Sequence, residues 1–245
     1  MTEEKPPPPL PGDFSESPFG KLINLLSWVL ITTVLLFVTA LPSIALFFFL
    51  HPDEPAALTN ALVVALSLTL LGPALSAGMY SARAQATDES PAPFKAFWRG
   101  YRMNFFDVLR LWFPACVLIG LLTFAIGVAG VSGLQLGNIG LLALTAAVLV
   151  WALHSLTLST FISMSPGGIA RLGLLYIGRI WKVTLGLIAA MIIVAFIAAA
   201  LPGGIFLVAV LSALICAFLY HNAKPMIADA TQYYTVQSAA PHDTL

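Results

Sequence analysis

Long apolar runs separated by short polar or proline- and glycine-bearing stretches set the pattern of this chain. Leu22 to Leu50, Ala56 to Tyr80, Leu111 to Val131, Ile139 to Met164, Val183 to Leu201 and Ile205 to Tyr220 are six such runs. Each approaches or exceeds the roughly 20 residues that cross about 30 Å of hydrocarbon. An all-α polytopic membrane bundle with six transmembrane helices is therefore predicted. The first run is longer than a span requires, and Pro42 is expected to divide it into a span and a short re-entrant or interfacial end. The punctuation between runs reads as turns: acidic at His51–Pro55, uncharged at Ser132–Asn138, and glycine-bearing at Pro166–Gly168 and Pro202–Gly204.

One long segment departs from this pattern by mixing charge with rings. On a helix from Pro93 to Trp112, the residues Phe94, Phe97, Trp98, Tyr101, Phe105, Val108, Leu109 and Trp112 share a face, with Lys95, Arg99, Arg102 and Arg110 beside it. This predicts an amphipathic helix on the cytoplasmic membrane surface between spans 2 and 3, with its aromatic belt facing lipid or a docking partner. Asn104 and Asp107 are expected to form its solvated edge. A second mixed helix, flanked by Arg171, Arg179 and Lys182, leads into the fifth span. The two pieces FWRGYRMNFFDVLRLW and LYIGRIWKVTLGL form a faint repeat that would suit approximate twofold symmetry.

Composition agrees with a membrane protein: 59% of residues are apolar and 9% charged, far from the roughly 25% charge of a soluble domain. A formal net charge of zero hides an uneven distribution. With a cytoplasmic amino terminus, all 11 Lys and Arg fall on one side of the bilayer, and the opposite loops carry Asp53 and Glu54. Positive charge collects on cytoplasmic loops, so both termini are expected inside and nucleic-acid binding is set aside. Residues 1–20, acidic and proline-rich, are expected to be a disordered tail, residues 21–222 the membrane domain and residues 223–245 a polar exit. The start lacks the positive, short-apolar, small-residue order of a cleaved signal, so the first span reads as a retained anchor. Cys116 and Cys216 lie in apolar runs and imply no disulfide framework.

The candidate chemistry is sparse. His154 is the ionisable side chain deepest within a span, and Ser155, Ser159 and Ser163 follow at four-residue spacing. Such a stripe is either close-packing glue between helices or, with Gly72, Pro73 and Pro114, the lining of a solute path. The Gly72–Pro73 step likewise suits a packing kink or a substrate-binding break. Paired carboxylates are missing from the spans, no His, Cys and Asp grouping has metal-ligand spacing, and neither glycine-rich turn continues into Lys-Ser or Lys-Thr. No catalytic role and no cofactor are expected.

The order FGKLINLLSW, GPALSAGMY and FKAFWRGYRMNF resembles the YesL-like family of bacterial integral membrane proteins, a domain of unknown function. The resemblance is strongest over Phe19–Trp28 and Leu71–Trp112. It implies a bacterial cytoplasmic membrane location and a link with carbohydrate uptake, and it carries no catalytic residues. Two roles follow: an accessory or assembly partner of a sugar importer permease, docking through the aromatic and basic belt, or a small-solute transporter or channel.

Overall fold

The computed structural model describes residues 17–50, 56–87, 92–131, 135–201 and 203–239, and the regular elements among them are all helices. The acidic turn at 51–55, residues 1–16 of the expected tail, and Pro202 lie outside the described residues.

The first helix, α1, spans Pro18–Phe47 and so begins inside the stretch expected to be tail. Ser17 caps it, its hydroxyl accepting from the Gly20 N–H at 3.0 Å with Pro18 in the first turn. Pro42 does not divide it: the helix runs through. A proline removes one backbone donor, but a long apolar helix keeps its other bonds, and Thr39 one turn earlier turns its hydroxyl back onto the Leu35 carbonyl at 2.8 Å. α2 covers Ala57–Ala86, also unbroken through Gly72 and Pro73. α3 covers Pro93–Val131, and α4 covers Gln135–Phe161, absorbing the second half of the expected Ser132–Asn138 loop.

Pro166 opens α5, Pro166–Arg179, whose cap is the Ser165 hydroxyl accepting from the Gly168 N–H at 3.3 Å. The expected turn is thus the start of a helix. α6 covers Trp181–Ala200. Gly203, at φ 72°, takes the left-handed conformation that reverses the chain. A side chain on Gly204 would collide with the Ile197 carbonyl of α6, so the turn needs both glycines. The expected sixth span is broken: α7, Gly204–Val210, meets α8, Ser212–Ala239, at a bend of 61°. Among the described residues five helices are long and apolar enough to cross a membrane, or six if α7 with α8 counts as one.

α2 is the hub. Of its most apolar window 56% is buried, against 17% for α1 and for α6, and it packs on α1, α3, α4 and α8. Small buried residues allow this, among them Ala61, Ala74, Ser76, Ala77, Gly78 and Ala82. The α2–α3 packing is antiparallel. Gly127 approaches Ala57, Gly120 approaches Ala61 and Ala65, Gly72 meets Trp112, and Gly100 meets Tyr80. On the other side Trp28 of α1 donates its indole N–H to the Ser81 hydroxyl at 3.0 Å. Successive crossings therefore bring the start of α1, the end of α2 and the first turns of α3 to one end of the bundle, with Lys21, Arg83, Lys95 and Arg99.

Candidate functional site

The aromatic and basic segment is not a separate surface helix. It is the first half of α3, a single helix of 39 residues and so about 58 Å long, well over the roughly 30 Å of hydrocarbon. The apolar run begins at Leu111, inside the mixed segment, and the helix continues from one composition into the other through Pro114. Its ring-bearing face also divides. Phe97, Val108 and Trp112 are buried in the core with Met79 and Leu156, while Phe94, Lys95, Arg99 and Arg102 are exposed. Trp98 and Tyr101 are half-buried and stacked at 5.4 Å, and the Arg102 guanidinium lies 5.8 Å from the Trp98 ring. Because Gly100 touches Tyr80, this cationic group is level with the last turns of α2, toward the end of the bundle.

Deeper along the same helix lies an ion pair. Asp107 and Arg110 are 3.7 Å apart, and their side chains are 68% and 70% exposed. Their level follows from Trp112, which sits against Gly72, midway along α2; Arg110 is two residues away and Asp107 five, about 3 and 7.5 Å along the axis toward the basic end. An exposed pair of charges therefore stands within two turns of the middle of α2, a helix long and apolar enough to cross a membrane. The pattern of the sequence places Arg110 on an amphipathic helix at the membrane surface. Arg110 also borders a lateral groove of about 600 Å³ between α1, α2 and α3. Tyr101, Phe105, Phe106 and Phe113 line it from α3, Thr39 and Pro42 from α1, and Thr69 and Pro73 from α2.

Asn104 is a correction of a different kind. It was expected on a solvated edge, but its amide reaches into a three-helix junction, donating to the Ser76 hydroxyl of α2 at 3.3 Å and to the Thr160 carbonyl of α4 at 3.2 Å. Thr160 Oγ1 in turn lies 2.9 Å from Ser76 Oγ. The signal was available: Phe97, Asn104, Val108 and Trp112 recur at helical spacing on one face, and that face is the buried one.

His154 is 2% exposed. Its Nε2 is 3.0 Å from Thr184 Oγ1 of α6, and that hydroxyl donates to the Ile177 carbonyl of α5 at 2.9 Å. The hydroxyl proton is thus committed, so the imidazole is the donor and carries its proton on Nε2. Ser159 returns its hydroxyl to the Leu156 carbonyl, Ser163 is exposed, and the buried Ser155 hydroxyl, pressed against Gly173, has no partner among the described residues. The other members of the expected path lie elsewhere. Gly72 is covered by Trp112, Pro73 borders the lateral groove, and Pro114 is exposed on the outward side of α3. The polar groups tie α4 to α5 and α6 and do not line one opening.

Two further ties hold α8. Asn222 donates to the Val183 carbonyl of α6 at 2.8 Å, and Asp229 accepts from the Tyr176 hydroxyl at 2.7 Å while pairing with Arg179 at 3.2 Å. Both cysteines are buried and free. Among the described residues no group of three His, Cys, Asp or Glu could hold a metal ion.

No curated protein and no solved structure matches the chain. A family model described as "Protein of unknown function, DUF624" matches residues 22–126, which takes in nearly all of α1, the whole of α2 and α3 as far as its last turns.

Proposed function

We propose that this protein is a non-enzymatic accessory or assembly partner within a bacterial cytoplasmic membrane, and that it docks another membrane protein on the outward face of α3. The observation that carries the reading is the Asp107–Arg110 pair, exposed within two turns of the middle of α2. Ionised side chains facing hydrocarbon cost several kcal/mol, so a neighbouring protein surface that supplies polar partners is strongly favoured there. Two inward polar groups of α4, His154 and Thr160, are engaged with Thr184 of α6 and Ser76 of α2, which supports a scaffold over a conduit. The exposed Lys95, Arg99 and Arg102 extend the same face to the membrane surface.

The finer identification rests on FGKLINLLSW, GPALSAGMY and FKAFWRGYRMNF, whose likeness to YesL-like proteins makes a permease of a carbohydrate importer the proposed partner. Charge sorting supports cytoplasmic termini, and the lipid bilayer, not nucleic acid, is the other surface engaged. A second reading, movement of a small solute such as a sugar, has one observation in its favour: the groove of about 600 Å³ with its four aromatic walls.

The test is mild-detergent capture of the tagged protein together with a candidate importer permease, repeated with an Asp107→Leu, Arg110→Leu double variant. Co-purification lost in the variant, with its own melting temperature unchanged, supports docking. Sugar flux into liposomes holding the protein alone, with no permease co-purified, supports the second reading instead.

A further inference from the structure

Two rows of side chains run side by side along the first turns of α3. Phe94, Trp98 and Tyr101 form an aromatic row, and Lys95, Arg99 and Arg102 a cationic one, each at positions i, i+4 and i+7 of the helix. Trp98 and Tyr101 are stacked with their ring centroids 5.4 Å apart, and the Arg102 guanidinium lies 5.8 Å from the Trp98 ring, so rings and charges make one surface. All three cations are exposed. Among the described residues no acid pairs with them: Asp107 pairs with Arg110, and Asp229 with Arg179.

We propose that this surface is the docking site of the chain's own amino-terminal segment, residues 1–16. The sequence of that segment is complementary on both counts. Glu3, Glu4, Asp13 and Glu16, set against a single Lys5, supply carboxylates for the three cations. Pro6–Pro9 and Pro11 supply rings of the kind that pack on aromatic faces wherever proline-rich segments are recognised. Reach permits the contact. The segment joins α1 at Ser17, α1 packs directly on α3, and both helices start at the basic end of the bundle. Helices in contact have axes about 8–10 Å apart, whereas the chain from Ser17 back to Glu3 can extend to about 45 Å. Tethering holds the segment at an effective concentration on the order of mM, so individually weak contacts suffice. On the docking reading above, the segment covers the cationic approach to the partner face until the partner displaces it.

The experiment is zero-length carbodiimide coupling of carboxylates to lysines in the full-length protein in mild detergent, with the joined peptides identified by mass spectrometry. Links from Lys95 to Glu3, Glu4, Asp13 or Glu16 are expected, and within single copies when isotopically labelled and unlabelled protein are mixed. Their yield, counted against links to Lys21 next to the segment, should fall about fivefold in the Arg99→Gln, Arg102→Gln variant, which keeps Lys95. Raising the salt to about 0.5 M should lower it in the parent protein as well, a reading that needs no substitution. Replacing Pro6–Pro9 by Ser should reduce the yield with every charge retained. Links to Lys182 or Lys224 as abundant as those to Lys95, links only between copies, or yields unaltered by the arginine substitutions and by salt would each overturn the assignment. Loss of the links in phosphatidylglycerol nanodiscs, with retention in phosphatidylcholine, would overturn it too and give the surface to anionic lipid. No permease enters these measurements, so their failure leaves the docking reading standing.

Discussion

Trp112 of α3 occupies the space that a side chain on Gly72 of α2 would need, and its indole N–H donates to the Leu68 carbonyl at 2.6 Å. The glycine of the Gly72–Pro73 step is therefore a seat for a ring and α2 stays whole. Gly72→Ala should place a methyl group on the indole and destabilise the protein by about 1–3 kcal/mol, whereas Trp112→Phe, which keeps most of the ring and loses the donor, should cost about 1 kcal/mol. Unfolding titrations in mixed micelles would rank the two. A Gly72→Ala protein as stable as the parent would mean that α2 and α3 do not approach as closely as described.

Asn104 links three helices, so its removal should be felt in α2 and α4 as well as in α3. Interhelical hydrogen bonds in membranes are worth about 0.6 kcal/mol on average and at most about 1.7. Asn104→Leu should cost about 0.5–2 kcal/mol, with Ser76→Ala adding less on top of it than alone, because both act through one junction. A double-mutant cycle measures the coupling, and strict additivity would rule out the shared network.

His154→Leu separates packing from passage. Thr184 keeps its bond to the Ile177 carbonyl in the variant, so the protein should insert, fold and lose about 1 kcal/mol of stability. Liposomes holding parent or variant alone should show the same low sugar permeability. A parent that conducts and a variant that inserts but does not would restore the path along α4.

The clamp between α5 and α8 joins a buried phenol to a partly exposed ion pair. Exposed ion pairs contribute about 0–1 kcal/mol, so Arg179→Gln should be nearly silent. Asp229→Ala removes the carboxylate that accepts from the buried Tyr176 hydroxyl and should cost more, about 1–3 kcal/mol. Limited proteolysis within α8 reads the difference, and equal sensitivity of the two variants would deny Tyr176 its part.

Orientation is checked independently. A reporter fused at Asp53 should behave as external and one fused at either terminus as cytoplasmic, as expected from the one-sided distribution of Lys and Arg. A cytoplasmic signal at Asp53 would reverse the membrane sidedness on which the proposed partner face rests.

Much of the helix inventory could be read from hydropathy. Punctuation is the harder part. Pro42 sits inside a helix where a division is expected, and Gly72 and Pro73 sit inside α2 as a packing step would, because a chain in hydrocarbon keeps every backbone bond it can and has no water to satisfy a break. Pro166 starts a helix, since a proline in the first turn gives up no bond. Leu211 lies in a run with no local breaker, and yet α7 and α8 meet there at a bend; the structure offers no local sequence reason for it.

By themselves the chain's apolar runs determined an all-helical architecture and roughly where the helices long and apolar enough to cross a membrane lie, because the length of such a run must match a bilayer of given thickness. Only the tertiary structure decided which side of each helix is inside. The stripe of rings on α3 has the same spacing whether it faces lipid, water or another helix, and it was the glycines of α2, α3 and their neighbours, through close approach, that turned Phe97, Asn104 and Trp112 inward and left Asp107 and Arg110 facing out. Partner faces depend on contacts between residues far apart in sequence, and no local pattern records them.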